Sequence, residues 1–177
     1  FLTNTAAATT PAATTPAQTT TTTPAQTTPA QTTPAKPSTP APTPVAKPTQ
    51  TTPTKTRAQR IQAIINLARA QFGKPYQWGS KGPSSFDCSG LMYYVFKNAA
   101  GITLGGYTGS QQYDGTRVSI SNLQAGDLVF WATNGTPYHV ALYIGNGQYI
   151  HSVQPGKTVS TGTISSYFMP SFGVRVF

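Results

Sequence analysis

The chain has 177 residues, a net charge of +9, one cysteine and two histidines. One cysteine excludes an internal disulfide, and no Cys/His spacing suggests a structural zinc site. The sequence has no run of eighteen apolar residues and so no membrane span, and its scattered basic residues argue against nucleic acid as a partner.

Composition divides the chain. Residues 1–56 are almost entirely Thr, Pro, Ala and Gln. Such a segment cannot bury enough apolar surface to offset its ordering entropy. Proline recurs at Pro24, Pro29 and Pro34 inside the unit Pro-Ala-Gln-Thr-Thr, with an imperfect copy at Pro11 and Pro16. Proline removes amide donors and biases its neighbours towards extended backbone. Residues 1–56 are therefore expected to form a disordered, stretched linker of polyproline II character. Thr with Pro is also the composition of O-glycosylated stalks. The chain starts at Phe1 and shows no signal-peptide pattern, which reads as a processed or truncated chain.

Residues 57–177 hold nearly all the aromatic and branched apolar side chains. About 120 residues suits one domain with a real core. Three lysines lie in the linker (Lys36, Lys47 and Lys55), which leaves the domain nine basic residues against three aspartates. That excess favours an anionic partner, for which nucleic acid, an acidic cell-wall polymer and anionic lipid all qualify, or serves solubility alone.

Thr56-Arg57-Ala58-Gln59 fits a capping box, with apolar residues following at Ile61, Ile64, Ile65, Ala68 and Phe72. A one-faced helix ending at Gly73 is predicted, with Pro75 just beyond. Residues 73–87 then read as a glycine-punctuated loop carrying Tyr76, Trp78 and Phe86. Aromatics on such a loop either wall a substrate groove or anchor the core. Phe86 reads as a core anchor and Tyr76 as a site residue. Leu91, Met92, Val95 and Phe96 keep helical spacing, so a helix is predicted from Cys88 to about Ala99. Cys88 falls in its first turn, where free N–H groups and the helix dipole are expected to lower the thiol pKa and to stabilise an oxyanion. Asp87 or Ser85 would cap that end. Gly90, inside the helix, implies close approach of another element.

Residues 101–119 show little periodicity and read as a surface loop. Strands are predicted at Leu128–Trp131, Tyr138–Ile144 and Gln148–Ser152, with a tight reversal at Gly145-Asn146-Gly147 and shorter strands near 158–160 and 172–177. The fold class is α+β, with N-terminal helices on an antiparallel sheet of about five to six strands.

His139 and His151 sit on paired strands, twelve residues apart, at the same end of one hairpin. Parity alone does not fix the face each takes across the turn. A thiol hydrolase needs a base beside the nucleophile and a third group to orient that base. Cys88, His139 and His151 fit those roles. The residues also leave open an inert buried cysteine, a histidine with a purely structural place, or a metal site with Asp87 as the nearby acid.

Several of these stretches together resemble the NlpC/P60 family of cell-wall peptidases, over residues 60–177. Gly73-Lys74-Pro75-Tyr76-Gln77-Trp78-Gly79 is similar to the family's opening loop, and Phe86-Asp87-Cys88-Ser89-Gly90-Leu91 to its nucleophile motif. Gly126-Asp127-Leu128-Val129-Phe130 resembles the strand entry. The run His139-Val140-Ala141-Leu142-Tyr143-Ile144-Gly145-Asn146-Gly147 with His151 resembles the base strand, turn and third polar residue. Two departures stand out: Ser80 replaces a second glycine, and Gly105-Gly106-Tyr107-Thr108 stands where many members have a Leu-Pro-Arg-Thr-like run.

The resemblance implies a papain-like domain without metal or organic cofactor. Cys88 would be the nucleophile, His139 the base and His151 the orienting residue. Tyr76 would help at the oxyanion or the substrate. Asp87 and Ser89 would shape the site, with the free amine of a stem peptide as their ligand. The implied bond lies between D-γ-glutamyl and a diamino acid, meso-diaminopimelate or L-lysine, in bacterial peptidoglycan. The implied enzyme is monomeric, secreted and associated with the cell wall, with anionic wall polymers suiting its positive surface. The alternatives are an amidase cutting before L-alanine and a non-catalytic wall-binding or adhesion module.

Overall fold

The computed structural model describes residues 54–177. All but the last three residues of the expected linker lie outside the described residues.

Helix α1 (Arg57–Arg69) starts with the predicted capping box. The Gln59 N–H donates to Thr56 Oγ1 at 3.2 Å, and the Thr56 N–H donates to Gln59 Oε1 at 2.9 Å. Ile61, Ile64, Ile65 and Ala68 are buried as their spacing requires. The helix stops before Gly73, which is a correction. The N–H groups of Gln71 and Phe72 reach back three residues, to Ala68 and Arg69. That tighter winding rotates Phe72 off the apolar stripe and leaves it 45% exposed.

Helix α2 (Cys88–Ala100) is capped by Asp87 and ends at Gly101, whose φ of 70° is left-handed. Its packing explains Gly90: a Cβ there would collide with the carbonyl oxygen of Ser80. That oxygen accepts the Asp87 N–H at 2.9 Å. The 73–87 loop is thus laced to the start of α2, and Phe86 is fully buried. Trp78 is no core anchor, being 86% exposed.

The stretch read as a surface loop, residues 101–119, holds a four-residue helix, α3 (Thr108–Gln111), and strand β1 (Thr116–Val118). The remaining strands are β2 (Leu128–Thr133), β3 (Thr136–Gly145), β4 (Gln148–His151), β5 (Ser160–Thr163) and β6 (Phe172–Arg175). All six form one antiparallel sheet in the order β1-β6-β2-β3-β4-β5. One sheet face presents Leu128, Phe130, Val140, Leu142, Ile150 and Val174 to the two long helices. The other carries a smaller cluster of Val129, Trp131, Ala141 and Tyr149. This is the α+β arrangement the sequence implied.

Two bulges in β3 position the site. Trp131 pairs with His139 but Ala132 with Pro137, so Tyr138 is the extra residue. The bulge leaves Tyr138 exposed beside a buried His139. At the other end Gly145 pairs with Gln148 across an Asn146-Gly147 turn with φ of 53° and 71°. Tyr143 pairs with Tyr149, so Ile144 is extra there. Without that insertion His151 would fall opposite Leu142, on the helix-facing side. With it, the register carries His151 opposite Ala141, on the face of His139. One inserted residue therefore puts both imidazoles on one face.

Candidate active site

Cys88 occupies the first position of α2, and Asp87 caps that helix end through Oδ1. Oδ1 accepts the Gly90 N–H at 2.6 Å and the Ser89 hydroxyl at 3.1 Å, while Oδ2 accepts the Gly79 N–H at 2.8 Å. Asp87 thus ties the opening loop to the nucleophile's helix. The Cys88 thiol is within 3.5 Å of Thr108 Oγ1. It also faces the backbone amides of Val140, the residue after His139, and of Ser89.

The two histidines meet as the hairpin parity allowed. His139 Nε2 lies 3.0 Å from His151 Nδ1. His139 Nδ1 is therefore the ring nitrogen left for other work. Among the described residues, neither imidazole makes a hydrogen bond to the thiol, whose side-chain partner is Thr108. Aromatic rings enclose the pair. Trp131 is 5.1 Å from His139 and Tyr149 is 5.0 Å from His151, centroid to centroid. Phe168 stacks on Trp131 at 4.6 Å and accepts its indole N–H at the backbone oxygen.

Burial in this box controls the protonation states. It depresses His139 to about 3, helped by the neighbouring His151, and His151 to about 4. Burial also raises the Cys88 thiol, against the pull of the Thr108 hydroxyl and of the Val140 and Ser89 amides, and Asp87 raises it further. The expected lowering of the thiol pKa by the helix start is therefore corrected: desolvation outweighs it. Burial thus favours the neutral thiol and the neutral imidazoles. Tyr76 is raised by burial first, then by Cys88 and Asp87, which puts its hydroxyl within their field.

A cavity of about 430 Å³ opens over the thiol. It is lined by Cys88, Asp87 and Ser89 on its floor, by Trp78, by Tyr107 and Thr108 from α3 and the residue before it, and by Tyr138 from the β3 bulge. Tyr76, His139 and His151 are not among its lining residues. Tyr138, Trp131 and Phe168 escaped the sequence reading, whereas Tyr107 and Thr108 entered it only as part of a loop that departs from the family pattern. The apolar run Leu128-Val129-Phe130-Trp131 did carry a signal, because a strand buried on both faces shows no alternation. Among the described residues, no group of three or more His, Cys, Asp or Glu could hold a metal ion, so the metal-site alternative lacks a ligand set.

The depressed histidines make a stability prediction. The unfolded imidazoles titrate near 6.5 and the folded ones at about 3 and about 4. Between these values the unfolded chain binds more protons, so stability rises with pH. The contribution is fully present above about pH 6.5 and is lost as pH falls through the folded values. The expected slope is about 1.4 kcal/mol per pH unit for each imidazole. Urea unfolding between about pH 7 and pH 4.5, where carboxylates stay mostly ionised, should show it. A His139→Gln/His151→Gln protein should lose the slope, and a parent midpoint that stays level across that range would refute the assignment.

A sequence model of the NlpC/P60 family matches residues 73–176. Protein P54 of Enterococcus faecium is 46% identical over 114 residues, covering 64% of this chain and 22% of that protein. The probable endopeptidase p60 of Listeria grayi is 43% identical over 97 residues, covering 55% of this chain and 19% of that protein. The chain thus spans about a fifth of the length of these two relatives. The crystal structure of the NlpC/p60 domain of the peptidoglycan hydrolase SagA superposes with a TM-score of 0.62 at 46% identity, covering 65% of this chain and 97% of that one.

Proposed function

The chain belongs to the NlpC/P60 family, and from that footing we propose that it is a cysteine endopeptidase of bacterial peptidoglycan. The bond is the one between D-γ-glutamyl and the diamino acid of the stem peptide, meso-diaminopimelate or L-lysine. The observation that carries the reading is a thiol at the first position of α2, beside strand β3, whose His139 makes a 3.0 Å contact with His151 of β4. The names of relatives, a probable endopeptidase and a peptidoglycan hydrolase, support the same class.

The chemistry follows from the neutral forms. With the shared proton on His139 Nε2, the 3.0 Å contact to His151 Nδ1 leaves His139 Nδ1 free. As the substrate carbonyl meets Cys88, His139 Nδ1 takes the thiol proton and the sulfur attacks the carbonyl carbon. The first N–H groups of α2, with the Tyr76 hydroxyl, receive the oxyanion. The intermediate collapses to a thioester as His139 returns the proton to the leaving amine. Water then attacks, with His139 again as base, and frees the carboxylate and the thiol. Asp87 and Ser89 stand at the cavity floor, where the negative charge of Asp87 suits the free amine of a stem peptide. A linker rich in Thr and Pro and a basic domain suit a secreted, wall-associated enzyme that works among anionic polymers.

Mass spectrometry of digested peptidoglycan tests the reading. New L-Ala-D-Glu termini are the expected products. Cleavage before L-alanine would replace the endopeptidase by an amidase and keep the thiol chemistry. No cleavage of wall or free stem peptide by a folded protein would leave binding as the function.

A further inference from the structure

Helix α3 is only four residues long, and so short a helix does not hold itself together. It is held from below. Gln111 is fully buried and donates its side-chain amide to the carbonyls of Ser89 and Gly105, each at 2.9 Å. Ser89 is the residue next to the thiol. The Gly105 N–H donates to Asp114 Oδ2 at 2.6 Å, and the Ser110 hydroxyl donates to the Tyr107 carbonyl at 2.9 Å. These bonds fix the first residue of α3 within the cavity, with Thr108 Oγ1 at 3.5 Å from Cys88 Sγ.

We propose that Thr108 is a catalytic residue whose hydroxyl donates a hydrogen bond to the Cys88 sulfur as His139 removes its proton. This rests on Cys88 being the nucleophile. The groups that face the sulfur can be named from each packed element. Asp87, at the cap of its own helix, opposes the thiolate, as does burial. Tyr76 reaches it from the opening loop, and β3 brings the Val140 amide together with His139, behind which stands His151. The Val140 and Ser89 amides are fixed backbone. Thr108 supplies the side-chain hydrogen bond, and of the influences that favour the thiolate it is the strongest. The hydroxyl turns freely: it accepts from S–H at rest and donates to S⁻ once the proton has moved to His139.

The size of the effect can be bounded. A hydrogen bond to an ionised group moves a pKa by about 1 to 2. A thiolate of higher pKa is also a better nucleophile, with a Brønsted slope of about 0.4–0.5. A tenfold loss of thiolate thus becomes about a threefold loss of rate at neutral pH.

The test is the pH profile of iodoacetamide alkylation of Cys88 in Thr108→Val, Thr108→Ser and the parent, with melting curves alongside. Thr108→Val is expected to raise the apparent thiol pKa by about 1 and to slow alkylation about threefold near neutral pH. Cleavage should fall at least as far, and Thr108→Ser should restore both. An unchanged profile in a folded Thr108→Val protein overturns the proposal, because a loop-holding role would lower the melting point and leave the thiol pKa in place. Thr108→Ala carries the same test should the valine protein not fold. A protein whose alkylation shifts as expected but which cleaves no peptide would remove Cys88 as nucleophile and leave the hydrogen bond standing.

Discussion

Cys88→Ala is expected to fold as the parent does and to cleave no stem peptide, a loss of about 10³-fold or more in kcat/KM. The thiol lines a cavity of about 430 Å³, so its removal leaves little new void. The chemistry has no substitute: the remaining groups at the floor are a carboxylate locked by three hydrogen bonds and the Ser89 hydroxyl, which donates to that carboxylate. His139→Gln should lose a similar amount, because proton removal from a neutral thiol is part of the attack. The double variant should be no worse than either single one, since groups that act as a unit are not additive. Cleavage rates on a synthetic stem peptide, with circular dichroism to verify the fold, decide the matter. A Cys88→Ala protein that still cleaves would refute thiol catalysis. One that keeps its whole effect on cells without cleaving would move the function to wall binding.

The parts of this site that were legible in the sequence are those fixed by local chemistry. Thr56 and Gln59 announce a capping box, Asp87-Cys88 announces a helix start, and Gly90 within a helix announces a neighbour that tolerates no Cβ. The His139–His151 contact was half legible. Strand pairing put both at one end, but the face of His151 depends on a bulge at Ile144, and no local preference marks that insertion. The contact of Thr108 with the thiol was hidden for another reason. Four residues are too few to show a helical period, and what locks α3 is a buried glutamine, a residue type usually found outside. The protonation states were the least legible. Position at a helix start argued for a lowered thiol pKa, whereas the dry box of Trp131, Tyr149 and Phe168 exists only once β2, β3, β4 and the 164–171 segment have packed.

Gly90→Ala should be strongly damaging for a single added methyl. In a free helix the change favours folding by about 1 kcal/mol. Here the added carbon would meet the Ser80 carbonyl oxygen and Asp87 Oδ1. Neither can yield cheaply. The Ser80 carbonyl holds the Asp87 N–H at 2.9 Å, and the Ser80 hydroxyl bonds within the same loop to Ser85. Asp87 Oδ1 is the cap itself, bonded to the Gly90 N–H. Overpacking costs about 1–3 kcal/mol, and loss of a cap about 0.5–2 kcal/mol. A net loss of about 3 kcal/mol is expected, set against a typical total of about 5–15 kcal/mol. That corresponds to a melting point lower by roughly 10 °C. Activity should fall further than stability, because the displaced loop and cap are what hold Cys88 beneath the cavity. Gly101→Ala is the control: its φ of 70° strains a side chain, yet no atom lies within 4 Å of the new carbon. It should cost only about 1–2 kcal/mol and leave the catalytic rate unchanged. Melting curves of the two variants separate steric exclusion from backbone strain. A Gly90→Ala protein that melts within a degree or two of the parent would mean that the Ser80 loop is free to move, and with it the floor of the site.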